Sequence, residues 1–258
     1  MTRIVCAILV GVVMLMSGAA AVTAEGRKIR IATEGTYRPM SYYDAAGKLT
    51  GFEVELVEAI CAKIKADCEW VIMEFDAMTP ALQEKKVDGI SSGMRITDKR
   101  KKVIDFPDKY YSTYAQFVTC SHKDQADTSP AAFKGMVIGT QSGSTNADFL
   151  NELYGKDAEI RLYKSMDEVY LDLQAGRLDA ALSSAFVGYD FLHSDKGKDC
   201  VFLGEKMSDP KYFGYGVSMG LRKGDDELRN MLNEGIKAVQ ADGTYDKINA
   251  KYWPFSVK

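Results

Sequence analysis

The sequence predicts an α/β protein of two lobes, each a mainly parallel sheet flanked by helices. Two observations carry that prediction. Strand-like and helix-like segments alternate as β-α-β-α-β over residues 29–91, and the alternation restarts after residue 113. No Pro-rich or low-complexity linker separates the two units, so ordered crossings must join them.

Residues 29–33 alternate apolar and polar side chains and read as the first strand. Residues 34–40 carry Gly35 and Pro39 and read as a loop. Residues 53–64 place Val54, Val57, Ala59, Ile60 and Ile64 on roughly one helical face. Residues 70–73 form a second strand. Pro80, suited to a first helical turn, opens a short helix through Gln83. Residues 87–91 complete the first unit as its third strand. In the second unit, strands fall at 114–119, 136–140, 160–163 and 178–183. Helices fall at 146–154, 166–175 and 187–193, and Gly176 closes the middle one at its C′ position. A late strand at 215–221 leads into an amphipathic helix at 226–240, and a last short helix begins within 242–247.

The N-terminus reads as an export signal. Arg3 lies in a short positive n-region, residues 4–16 are an unbroken apolar run, and small residues follow. The run is too short to span a bilayer comfortably. Val22-Thr23-Ala24 fits a signal-peptidase site, which gives residues 1–24 as signal peptide and a mature, periplasmic chain from about Glu25. The composition is 46% hydrophobic and 27% charged with a net charge of −3, which leaves no electrostatic footprint for nucleic acid. Export gives meaning to the cysteines that remain once Cys6 is removed with the signal: Cys61, Cys68, Cys120 and Cys200. A Cys61–Cys68 bridge would pin a helix C-terminus to the start of a strand. Cys120 and Cys200 read equally well as a bridge or as two buried thiols. His122 and His193 lack ligand spacing and read as surface residues, so neither metal nor cofactor is expected.

The most informative stretch is residues 87–111, VDGISSGMRITDKRKKVIDFPDKYY. A short apolar strand breaks into Ser91, Ser92 and Gly93, small residues that let backbone groups approach a ligand. Thr97 or Asp98 then caps a helical turn carrying Arg100, whose planar fork matches a carboxylate. This segment resembles the amino-acid clamp of periplasmic solute-binding proteins for polar amino acids, the lysine/arginine/ornithine- and histidine-binding group (family 3). The likeness extends from about Lys28 to Trp253. Its other carriers are TEGTYRP, GFEVEL, the Cys61/Cys68 pair, FDAMTPAL, QSGST, AGRLDAAL, GLRKGDDELR and DGTYDK, in that order along the chain.

The resemblance implies a two-lobe, type II-like fold with the ligand between the lobes. Residues 25–113 would form lobe 1, residues 114–213 lobe 2, and residues 214–258 would return to lobe 1. It implies a Cys61–Cys68 disulfide. It also implies a solute-binding protein that hands an amino acid or derivative to an ABC permease, acts as a monomer and is not an enzyme. Arg100, Thr145 and a Gly93 backbone N–H would hold the α-carboxylate. Ser144 and Thr145 also open a helix, whose N-terminus favours an anion. Ser92 and Gln141 would line the same cleft. Tyr37 and Phe75 match the aromatic walls around the ligand side chain, and Glu34 and Glu53 match acidic positions that meet a distal cation. Of the two, Glu53 is the weaker match, since acidic residues usually face water.

Two positions depart from the family pattern together. Ser184 stands where relatives place an aspartate for the ligand's α-ammonium, and Arg95 replaces a small hydroxyl or acidic residue. Either Arg95 turns to solvent, or the ligand is not a standard α-amino acid. The rival from another class is an enzyme resembling cyclohexadienyl dehydratase, for which Glu34 would have to serve as proton donor. A sensor input domain is disfavoured by the lack of a membrane helix and an output domain.

Overall fold

The computed structural model describes residues 26–258, so the apolar run and the expected cleavage near Ala24 lie outside the described residues. The first lobe begins with β1 (Lys28–Thr33), then a small antiparallel meander of β2 (Thr36–Tyr37), β3 (Ser41–Tyr43) and β4 (Leu49–Thr50). Next come α1 (Phe52–Lys63), β5 (Asp67–Ile72), α2 (Phe75–Gln83), β6 (Gly89–Ile90), α3 (Asp98–Lys101) and β7 (Ile104–Asp105). The second lobe holds β8 (Ala115–Thr119), β9 (Val137–Gln141), α4 (Thr145–Leu153), β10 (Glu159–Tyr163), α5 (Met166–Gln174), β11 (Ala180–Ser184), α6 (Ala185–Leu192), β12 (Val201–Met207) and α7 (Pro210–Phe213). The chain closes with β13 (Gly220–Arg222), α8 (Asp226–Ala241) and α9 (Thr244–Tyr252).

Two five-stranded sheets result, ordered β5-β1-β6-β13-β7 and β10-β9-β11-β8-β12. Each is more mixed than the sequence suggests. Pairings of β1 with β5 and β6 are parallel, but β13 is antiparallel to both β6 and β7. Likewise β9 is parallel to β10 and β11, while β8 is antiparallel to β11 and β12. The antiparallel members β8 and β13 are the first strands met after the chain passes from one sheet to the other. Such strands have no preceding crossover helix on their own sheet to enforce parallel entry.

Helix α2 starts five residues earlier than Pro80 suggests. Phe75, Met78, Ala81 and Leu82 form its buried stripe, and that burial extends the helix N-terminally around the proline. Pro80 removes only the partner of the Asp76 carbonyl, one bond near the helix start. The expected strand at 215–221 is interrupted. Val217 makes isolated bridges with Arg95 and Tyr111, and regular pairing begins only at Gly220. Gly216, at φ 121, breaks the extended run in a conformation that side chains other than hydrogen rarely adopt.

Both lobes have apolar interiors: Phe117, Phe133, Ile138, Leu150 and Leu182 pack in the second, Met78, Leu82, Ile90 and Met94 in the first. Helices α1, α8 and α9 pack together, so the tail returns to the first lobe. Cys61 and Cys68 are bridged, as expected. Cys120 and Cys200, left open by the sequence, are bridged as well and tie the end of β8 to the approach of β12. No helix among the described residues is long and apolar enough to cross a membrane.

A cleft between the lobes as candidate ligand site

The ends of β6, β9 and β11 meet the starts of α2, α4 and α5 around a small, narrow cavity. Tyr37, Phe75, Ser92, Gly93, Arg95 and Arg100 line it from the first lobe. Gln141, Ser144, Thr145 and Ser184 line it from the second. All the expected residues except Glu34 and Glu53 therefore line one space. Asn146 and Met166 line it too, unforeseen from the sequence. Asn146 follows Thr145 in the first turn of α4, a position that favours polar contacts; Met166 reads in sequence only as the first apolar position of α5.

Local structure fixes the two arginines. Thr97 caps α3, its hydroxyl accepting from the Arg100 N–H at 3.2 Å. Arg100 donates from Nη1 to the Arg95 carbonyl at 3.2 Å and from Nη2 to the Gly143 carbonyl of the second lobe at 3.4 Å. Its guanidinium also lies 5.5 Å from the centre of the Phe75 ring. Arg95 does not turn to solvent. It is 4% exposed, and its Nη1 crosses the cleft to Thr145 Oγ1 at 3.1 Å and Asn146 Oδ1 at 3.0 Å. Burial, with Arg95 beside it, pulls the Arg100 guanidinium down to about 10, and burial also lowers Arg95. On the opposite wall, the Ser144 hydroxyl accepts from the Ala147 N–H at 3.1 Å and caps α4. The positive end of that nine-residue helix faces the same cavity as the arginines.

The acidic residues behave differently from expectation. Glu53 neither faces water nor lines the cavity. It is fully buried and accepts from the Tyr111 hydroxyl at 2.6 Å, from the Ser91 hydroxyl at 3.1 Å and from the Gly93 N–H at 3.0 Å. The Gly93 N–H implied for a ligand carboxylate is thus engaged by Glu53. Gly93 contributes close approach instead. Its φ is 62, and a Cβ there would sit 2.8 Å from Tyr37 Cε1. Glu34 lies behind the lining, accepting from the Ser92 hydroxyl at 2.7 Å and from the Gln141 amide of the other lobe. Burial pushes its carboxyl up to about 7, against those hydrogen bonds, which pull it down. Ser184, at the end of β11, shares a hydrogen bond with the Thr113 hydroxyl at 3.0 Å.

Two α/β lobes closed over a small polar cleft, with cationic and helix-end groups facing each other across it, define a solute-binding protein. The chain belongs to the bacterial extracellular solute-binding proteins, family 3, whose family model matches residues 29–255. It is 40% identical over 248 residues to the histidine-binding periplasmic protein of Salmonella typhimurium, covering 95% of each chain. It is 41% identical over 236 residues to the L-arginine-binding protein of Pseudomonas aeruginosa, covering 91% of each. Among solved structures, it resembles an arginine-specific periplasmic binding protein of Salmonella typhimurium with a TM-score of 0.81 and 28% identity. That likeness covers 88% of this chain and 99% of the other.

Proposed function

We propose that the cleft binds the carboxylate of an amino acid or amino-acid derivative and that the chain delivers this ligand, as a monomer, to an ABC permease of the inner membrane. The observation that carries this reading is the placement of Arg100 and the N-terminus of α4 on opposite lobes of one cavity. A carboxylate held between them closes the lobes by satisfying both at once. Tyr37 and Phe75 supply flat apolar walls for the rest of the ligand. Lobe closure pivots on the crossings near residues 113–114 and 213–214. Export with cleavage near Ala24 puts the mature protein in the periplasm, like the histidine-binding periplasmic relative.

The position of Glu34 favours binding over catalysis. The acid that holds a proton near neutral pH sits behind Ser92 and Gln141, not among the lining residues. Absence of turnover with prephenate and arogenate is the expected result. Native mass spectrometry of protein purified from the periplasm identifies the ligand. The decisive variant is Arg100→Ala, which should weaken binding of that ligand by roughly 2–5 kcal/mol while the fold is retained. Unchanged calorimetric affinity would remove Arg100 from the clamp.

A further inference from the structure

Among the described residues that bond from one lobe to the other, Glu34 is the buried carboxyl. Asp148, Glu74 and Asp76 make their crossings at the exposed rim. Glu34 follows β1 in the first lobe and is 6% exposed. One of its oxygens meets the Ser92 hydroxyl of the same lobe at 2.7 Å. The other accepts from the Gln141 amide, at the end of β9 in the second lobe. A second bond from the same amide nitrogen to the Lys164 carbonyl, at 3.2 Å, aims Gln141 at Glu34.

No cation of the described residues pairs with Glu34. The charged groups that act on it are Glu53 in its own lobe and Asp167 at the start of α5, and both disfavour its ionisation. Asp167 answers to Lys196 and Arg38 instead. Lys164, Glu74 and Glu168 share a surface hollow with Glu34, and there Lys164 is paired with Glu74. Tyr37 faces it as a phenol that burial moves further from ionisation. A neutral carboxylic acid fits this setting. Its carbonyl oxygen accepts from Gln141 and its O–H donates to Ser92 Oγ, with no unpaired charge in the interior. Burial pushes the carboxyl up to about 7. Part of the wall that buries it belongs to the second lobe, through Gln141. Parting of the lobes removes that wall, admits water and returns the group toward its ordinary 4.5.

We propose that Glu34 is a positioning residue that latches the lobes as a neutral acid, so that closing the cleft takes up a proton at Glu34 and an alkaline medium loosens the latch. The inference rests on the lobe-closure reading above. Closed lobes hold the proton more tightly than open ones. The latch is therefore at full strength below about pH 4.5 and weakens as pH rises through about 7. Glu53 does not share this role, because its partners Tyr111, Ser91 and Gly93 all lie in the first lobe and stay with it on opening. Unfolding also exposes Glu34, but release of a ligand needs only opening.

The test is stopped-flow release of L-arginine at about pH 5 and about pH 8, from wild type and from Glu34→Gln, which keeps the shape without the ionisation. L-Arginine itself changes charge little over this range. Between the two pH values, release from wild type should quicken roughly tenfold or more relative to Glu34→Gln. The same pH dependence in both proteins would overturn the latch. Release from wild type that slows with rising pH, and is fast in Glu34→Gln, would also overturn it, because an ionised Glu34 would then be pairing with the cation of the ligand. If wild type does not hold L-arginine, backbone hydrogen exchange of residues 141–146 without ligand decides the matter. At about pH 8 these amides should be protected roughly tenfold or more in Glu34→Gln relative to wild type, with the gap closing toward about pH 5. Equal protection at both would overturn the latch. The clamp reading fails on a separate result, an L-arginine affinity that Arg100→Ala leaves unchanged.

Discussion

Glu34 and Glu53 lie in the same lobe, and burial pushes both carboxyls above the usual range. Their roles differ because their partners differ. Glu53 anchors the loop at Gly93 from within its own lobe, whereas Glu34 joins the lobes through Gln141. For Glu34 the folded value of about 7 exceeds the ordinary 4.5, so the folded protein holds a proton that the unfolded chain releases between those pH values. Its contribution is complete below about pH 4.5 and is lost as pH rises through about 7. Glu34→Gln mimics the protonated form. Between pH 5 and pH 8 the wild type should lose on the order of 2–3 kcal/mol more stability than Glu34→Gln in denaturant titrations. Equal pH slopes would show that Glu34 is ionised when folded. Glu53 contributes in the same direction, so the variant retains a residual slope. None of this is visible in the sequence, where both glutamates read simply as acids near a ligand. Burial at 6% and 0% exposure, which sets their protonation, is a tertiary property. The arginines were more legible: the ITDKR turn gives the cap and the aim of Arg100 from local spacing alone.

At the scale of elements, periodicity located the long helices and central strands because each has a face committed to one interior. It missed the β2–β3–β4 meander and read Thr36–Tyr37 as loop, since strands of two or three residues carry too few positions to alternate. It also missed β12, whose partner β8 lies far away in sequence. The disulfides follow a related logic of distance. Cys61–Cys68 closes a separation of 7 residues, and Cys120–Cys200 closes one of 80. In the chain-entropy picture the first stabilises by about 2–3 kcal/mol and the second by about 4–5 kcal/mol. Replacing both cysteines of a pair by serine should therefore cost more for Cys120/Cys200 than for Cys61/Cys68. Denaturant midpoints measured without reductant give the comparison, and the reverse order would mean that the long loop is already constrained in the unfolded chain.

For the molecule as a whole, side chains outside the cavity also link the two lobes. Lys99 Nζ reaches Asp148 at 2.8 Å, Lys164 Nζ reaches Glu74 at 2.8 Å, and the Ser142 hydroxyl donates to Asp76 at 3.1 Å. Each joins a residue before the first crossing to one after it, and all lie at the rim rather than in the cavity. Because they lie outside both cores, parting of the lobes in the proposed closure would break them and leave lobe stability alone. The charged pairs are well exposed, so each shifts the equilibrium of the proposed closure only slightly and is screened by salt. The double variant Glu74→Gln with Asp148→Asn should weaken ligand binding by roughly two- to fivefold at low salt, mainly through faster release. The difference from wild type should vanish at high salt, while the unfolding midpoint stays unchanged. Stopped-flow release at two ionic strengths measures this directly. A double variant that releases ligand no faster at low salt would mean that the ligand and the contacts inside the cleft, such as Glu34 with Gln141, hold the lobes shut without help from the rim.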